Sequence, residues 1–201
     1  MSRLTHRTSA GWTYFVTTKA FQSANAFQVQ EVATIVVGKL LEYRDKGNYL
    51  LHEFVVMPNH LHILITPSDT ATLERCIQLI KGGSSHEIHR VRGGGMPVWQ
   101  SSFHDARVKD WKVYRIKVDY IRFNPVTAKL VARPEEWPFG SIGGQFTVDP
   151  IPQGLKPTAL AVNVGPKGPT PKTLDLTPEP FEAQGELKPR PPKAFGRRGG
   201  V

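Results

Sequence analysis

Apolar and polar positions change period several times along the chain, and each change marks an element. Residues 12–18 are aromatic and β-branched and predict a strand, with Trp12, Tyr14 and Val16 on one face and Thr13, Phe15 and Thr17 on the other. Val32, Ile35, Val36, Lys39, Leu40 and Tyr43 recur at helical spacing and predict a helix over 31–43, ended by Lys46-Gly47-Asn48. Residues 49–56 and 60–66 return to strand patterning with a short turn between them, which predicts a hairpin. A second helix is expected over 71–80, capped by Asp69 or Thr70 and either stopping at Gly82-Gly83 or resuming through 84–89. Beyond a glycine-rich connector, 98–108 is a weaker strand candidate. Asp110 then caps a third helix over 111–123, striped by Trp111, Tyr114, Val118 and Ile121. Pro125 disfavours the α region for Asn124, so this helix is expected to end or kink there.

The order strand, helix, strand, strand, helix, strand matches an α+β, ferredoxin-like plan: an antiparallel sheet with helices on one face, followed here by one further helix. Residues 1–10 read as a flexible basic arm and 11–146 as the folded domain. Residues 147–201 read as a disordered, Pro-rich basic tail, because segments such as Lys188-Pro189-Arg190-Pro191-Pro192-Lys193 cannot hold a helix or a sheet interior. The tail's role is either solubility or non-specific phosphate contact through Arg190, Lys193, Arg197 and Arg198.

Charge narrows the partners. A formal net charge of +9 favours a polyanion such as nucleic acid or an anionic membrane surface. No apolar run approaches the roughly 18 residues of a membrane helix, and no signal-type apolar segment follows residues 1–7. One cysteine, Cys76 in the second helix, excludes an internal disulfide and a multi-cysteine zinc site. The expectation is a cytoplasmic protein that meets nucleic acid.

The candidate chemistry lies in Met57-Pro58-Asn59-His60-Leu61-His62-Ile63-Leu64-Ile65-Thr66. Strand alternation points His60 and His62 one way and Leu61, Ile63 and Ile65 the other. Two imidazoles side by side are either an ordinary polar strand face or a ligand pair completed by an oxygen donor, water and substrate. In the third helix Tyr120 and Asn124 stand at i and i+4 and share a face if the helix persists. A tyrosine there is either a core residue or a nucleophile. If the halves combine, His60, His62 and the Asn124 oxygen would hold a divalent ion beside Tyr120. Such an ion polarises a phosphate oxygen for attack by a phenol that is otherwise a weak nucleophile. Magnesium prefers oxygen ligands and imidazole suits transition metals, so manganese is expected to serve as well.

At these residues the chain resembles the REP-associated tyrosine transposases, within the single-tyrosine, His-hydrophobic-His (HUH) superfamily of insertion-sequence transposases and nicking enzymes. The resemblance covers roughly residues 11–141. It runs through Tyr14-Phe15-Val16-Thr17, Val55-Val56-Met57-Pro58-Asn59-His60-Leu61-His62, Ile80-Lys81-Gly82 and Trp99-Gln100. It continues in Tyr120-Ile121-Arg122-Phe123-Asn124-Pro125-Val126 and Trp137-Pro138-Phe139-Gly140-Ser141.

The resemblance implies Tyr120 as a nucleophile that forms a 5′-phosphotyrosine and releases a 3′-hydroxyl. It implies His60 and His62 as ligands of Mg²⁺ or Mn²⁺, with Asn124 in the third ligand position, which is Gln in insertion-sequence relatives. The implied substrate is single-stranded DNA with palindromes that fold into hairpins. The implied assembly is a monomer, as in the REP-associated branch, or a homodimer with exchanged helices. The basic residues Lys81, Arg107, Lys109, Lys112, Arg115, Lys117 and Arg122 fit a track for a DNA backbone, several of them alternatively being plain solvated surface. The rival from another class is a non-catalytic hairpin or single-strand binder on the same fold.

Overall fold

β3 (His60–Pro67) is an interior strand of the sheet and is buried along almost its whole length. It pairs antiparallel with β2 (Tyr49–Met57) on one side and with β1 (Thr13–Lys19) on the other, and β4 (His104–Val108) adds antiparallel to the far edge of β1. The order β2-β3-β1-β4 is that of the ferredoxin-like fold. The structure is a computed structural model and describes residues 11–156. The expected basic arm at 1–10 and most of the expected tail lie outside them.

One sheet face is covered by α1 (Gln30–Asp45) and α2 (Leu73–Arg92). Tyr14, Val16, Leu51, Phe54, Val56, Leu61, Ile63 and Ile65 meet Val32, Val36, Leu40, Ile77 and Ile80 there in the main core. The opposite face carries α3 (Trp111–Thr127), whose Tyr114 and Ile121 pack on Val55, Met57, Leu64 and Val108. The two helices of the repeat unit thus share one face, as expected, and the additional helix takes the other.

Several local expectations are corrected. α2 takes the longer of its two expected courses, passing through Gly82-Gly83 to Arg92. Each glycine costs a helix about 1 kcal/mol relative to alanine, yet Gly83 is where the Tyr43 side chain of α1 crosses: an added Cβ would collide with the Tyr43 ring and hydroxyl. The cap of α2 is Thr72, which accepts from the Arg75 N–H at 3.2 Å, and not Asp69 or Thr70. The fourth strand is confined to His104–Val108, while Trp99 forms an isolated antiparallel bridge with Ala20 beyond the end of β1 and donates through Nε1 to Ser84 Oγ at 2.9 Å.

α3 passes straight through Asn124 and Pro125 and ends two residues later. Its last carbonyls are satisfied by a Schellman turn, with Leu130 N–H bonded to Pro125 O and Lys129 N–H to Val126 O, both at 2.9 Å, and Lys129 at φ 57°. Asp110 caps its start as expected, accepting from Val113 N–H at 2.9 Å.

The outer edge of β2 would be open, and unpaired edges invite mispairing. Residues 137–149 close it. Val56 N–H donates to Phe139 O at 2.8 Å, Trp137 Nε1 donates to Val56 O at 3.0 Å, and Gly140 bridges Val55. Further along, Leu51 N–H donates to Asp149 Oδ2 and Asp149 N–H to Leu51 O, each at 2.7 Å, and Arg44 pairs with the same carboxylate at 3.0 Å. Ordered chain therefore continues past residue 146, the expected domain limit, with Leu155 buried beneath α3.

β2 contains a bulge. Leu51 pairs with Ile65 and Glu53 with Leu64, which leaves His52 as the extra residue. The shift in parity lets Leu51 and Phe54 both face the main core and turns Glu53 toward α3. His52 is buried, its Nε2 2.9 Å from Thr66 Oγ1, and burial pushes its pKa below the ordinary histidine value. A depressed histidine pKa means the unfolded chain binds the proton more readily. The stability that His52 contributes is therefore full above about pH 6.5 and lost as pH falls below it. Urea midpoints measured from pH 8 to pH 5 should fall, and His52→Gln should reduce the size of that fall; an unchanged pH dependence would remove His52 from the account.

Candidate active site

The alternation of β3 sends His60, His62 and Leu64 to the α3 face. Each imidazole is oriented by a neighbour. Thr17 lies opposite His62 in the β1–β3 register, and its Oγ1 is 2.8 Å from His62 Nδ1. Asn59, the last residue of the Pro58-Asn59 turn, places Oδ1 2.6 Å from His60 Nδ1. That turn is itself pinned, since Ala20 N–H donates to Asn59 O at 2.8 Å and Phe27 N–H to Pro58 O at 2.9 Å. The two rings stand 4.6 Å apart, centroid to centroid.

α3 brings the second half of the constellation. The Tyr120 ring lies edge-on to His62 at 5.1 Å and to Phe15 at 5.7 Å, and the residue keeps 44% of its surface exposed. One turn later the Asn124 side chain faces His60 and raises its pKa against the effect of burial. One turn earlier the Lys117 ammonium sits over the Phe15 ring at 4.6 Å, and Phe15 in turn stacks on His62 at 5.4 Å. One chain therefore gathers Tyr120, both histidines, Asn124 and Lys117.

The electrostatics favour neutral imidazoles. Burial holds the His60 pKa down to about 4, aided by the Lys19 charge and opposed by the Asn124 side chain. Burial also holds His62 well below the ordinary histidine value, with His60, Lys117 and Lys19 adding to it. Burial also lowers Lys117. His62 Nε2 is buried and has no hydrogen-bond partner among the described residues. A buried polar atom without a partner requires an explanation, and a lone pair able to bind a metal ion is one. Among the described residues no cluster of three or more His, Cys, Asp or Glu is present. The polar side chains available to a metal at this position are two imidazoles and a carboxamide.

The expected DNA-contacting cations are distributed unevenly. Lys109, Lys112 and Arg115 are exposed at and just before the start of α3. Arg107 lies opposite Tyr14, on the α1/α2 side of the sheet, with its guanidinium over the Trp12 ring. Lys81, on α2, donates to the carbonyls of Gln100, Ser101 and Ser102. Arg122 binds Glu53, a buried carboxylate on β2, through Nη2 at 2.8 Å and Nε at 3.0 Å.

Sequence reasoning did not single out Glu53, Ser141 or Lys19 as site residues, nor Thr17 and Phe15 as supports for the histidines. Thr17 and Phe15 lie on the correct face of β1 by alternation. Their pairing with His62 depends on the strand register, which no local pattern states.

A ferredoxin-like sheet that presents a His-x-His pair to a tyrosine-bearing helix is the layout of the single-tyrosine transposases. The chain belongs to the IS200-like transposase family, whose sequence profile matches residues 17–123. Within that family it is similar to a REP-associated tyrosine transposase of Escherichia coli K12, with 30% identity over 122 residues that cover 60% of this chain and 67% of the relative. Its fold is also that of a solved REP-associated tyrosine transposase bound to a REP hairpin. That match has a TM-score of 0.61 and 23% identity, and covers 79% of this chain and 96% of the other.

The ring environment makes a direct prediction. In metal-free protein, long-range ¹H–¹⁵N spectra should show His60 and His62 as neutral Nδ1–H tautomers from pH 8 down to about pH 5. His60 should become charged near pH 4. A cationic His62 at pH 7 would contradict the assignment.

Proposed function

We propose that the protein is a divalent-metal-dependent single-stranded DNA endonuclease and strand transferase acting on hairpin-forming palindromes. The observation that carries this reading is the placement of the Tyr120 ring 5.1 Å from that of His62, with Asn124 facing His60, all within one chain.

The Tyr120 oxygen attacks a backbone phosphorus, the P–O3′ bond breaks, and the departing oxygen takes up a proton as a free 3′-hydroxyl. The product is a 5′-phosphotyrosine that conserves the phosphodiester, so a second 3′-hydroxyl can displace the tyrosine without an external energy source. His60, His62 and Asn124 are the residues that would hold the metal, and their neutral nitrogens and amide oxygen fit a manganese-like ion better than a purely oxygen-seeking one. When bound, the ion supplies charge neutralisation at a non-bridging phosphate oxygen.

The chain's own residues do the remainder. Thr17 and Asn59 orient the two rings. Lys117 supplies positive charge one turn before the tyrosine. Lys112 and Arg115, exposed on the same helix, give a backbone track leading to it. Because the tyrosine sits against its own chain's histidines, a monomer holds the complete constellation. Hairpin DNA is favoured as substrate because the solved relative is bound to a REP hairpin. Among the described residues no helix is long and apolar enough to cross a membrane.

Single-stranded hairpin DNA mixed with protein and Mn²⁺ or Mg²⁺ should yield a covalent adduct on a denaturing gel. Tyr120→Phe should abolish the adduct while hairpin affinity stays within about twofold. His60→Ala should abolish it as well. Binding without an adduct in either metal, over a broad hairpin set, would leave a non-catalytic hairpin binder instead. Thr17→Val removes the partner of His62 Nδ1 and should weaken Mn²⁺ binding by about 10- to 100-fold, as losses of outer-sphere partners do. Calorimetric titration of the metal alone measures this.

A further inference from the structure

We propose that Glu53, Arg122 and Ser141 form a clasp that positions the tyrosine helix, so that Arg122 acts through the placement of Tyr120 and not by touching DNA. The inference rests on Tyr120 being the nucleophile.

Apart from Lys117 over Phe15 and Asn124 facing His60, α3 otherwise meets the sheet through apolar side chains, chiefly Tyr114, Val118 and Ile121. Such contacts are non-directional and leave a helix some freedom to slide or roll. The ion pair is directional. Arg122 lies two residues after Tyr120, and both its Nη2 and Nε reach the same Glu53 oxygen, Oε2, at 2.8 and 3.0 Å. The other oxygen, Oε1, accepts from Ser141 Oγ. Ser141 Oγ also lies 3.0 Å from both Phe54 N and Phe54 O. The carboxylate is thus held at a fixed point on β2, and the guanidinium fixes α3 to that point in rotation and in axial position.

Glu53 is 2% exposed. A carboxylate so buried needs its partner, because removing the partner leaves an uncompensated charge in the interior. Arg122, by contrast, keeps 41% of its side chain exposed, so by exposure alone it would serve equally as a phosphate contact. The buried partner favours the clasp. The clasp also gives a role to the Trp137-Pro138-Phe139-Gly140-Ser141 segment, which lies beyond the region matched by the family profile. The segment seals the edge of β2 and at its end delivers Ser141 to Glu53.

The test uses the full chain and the variants Glu53→Gln, Arg122→Ala, Arg122→Lys and Ser141→Ala, with two readouts. Hydrogen exchange should rise at least tenfold across 111–127 in Glu53→Gln and Arg122→Ala, while β1, β3 and α1 keep their protection. The rate of adduct formation on hairpin DNA should fall at least tenfold, with hairpin Kd within twofold and an unchanged salt dependence. Arg122→Lys should recover part of the rate, and Ser141→Ala should show a smaller loss of the same kind.

Unchanged exchange in α3 overturns the clasp. So does a lower melting temperature with an undiminished adduct rate, which would mark a merely structural pair. It is equally overturned if Arg122→Ala weakens hairpin binding and lowers the salt slope by about one while Glu53→Gln does not, the signature of a phosphate contact. If the unaltered protein forms no adduct, the nucleophile reading fails, and hydrogen exchange alone decides whether the clasp exists.

Discussion

The two-residue period of β3, an interior strand covered on both faces, is the constraint from which the site follows. Leu61, Ile63 and Ile65 are wholly buried against α1 and α2. Burying three such side chains is worth about 1.5–3 kcal/mol each, and a slip of one residue would send all three to the other face. The packing that holds the sheet therefore also determines where His60 and His62 point. The histidines need no separate device to face α3, because the core enforces it.

Their placement has an electrostatic consequence. Rings pressed between β1, β2 and α3 lose hydration, which favours the neutral form and leaves nitrogen lone pairs available at neutral pH. Nearby lysines push in the same direction. Lys19 and Lys117 both disfavour protonation of His62, and both contribute positive charge where a phosphate would approach. The same charges thus add to the effect of burial in keeping His62 unprotonated. Phe15 adds the spatial link, touching His62, Tyr120 and Lys117 with a single ring.

The chain beyond the ferredoxin-like unit works on the edges of the sheet. Residues 137–149 pair with the outer side of β2, which would otherwise expose unpaired backbone groups. In doing so they cover the edge of β2 and bring Ser141 within reach of Glu53. Stability and site geometry are coupled at this position, since the carboxylate that Ser141 holds is the one that Arg122 of α3 binds.

Periodicity in the sequence was enough to place the strands and helices that carry the site, to put His60 and His62 on one face, and to align Tyr120 with Asn124. These are local facts: period 2 and period 3.6 are properties of a few consecutive residues. Helix ends were less legible. Gly82-Gly83 reads as a stop until Tyr43 is seen lying across Gly83, and Pro125 reads as a break until its carbonyl is seen closing a Schellman turn. What only the tertiary structure decided involves partners distant in sequence. Thr17 meets His62 from 45 residues away, and Arg122 meets Glu53 from 69. The bulge at His52 shifts the parity of β2 midway, and no alternation rule predicts where a strand will carry an extra residue. Such pairings are chosen by the packing of the whole domain, because the burial of many side chains together selects one register among several that are locally equivalent.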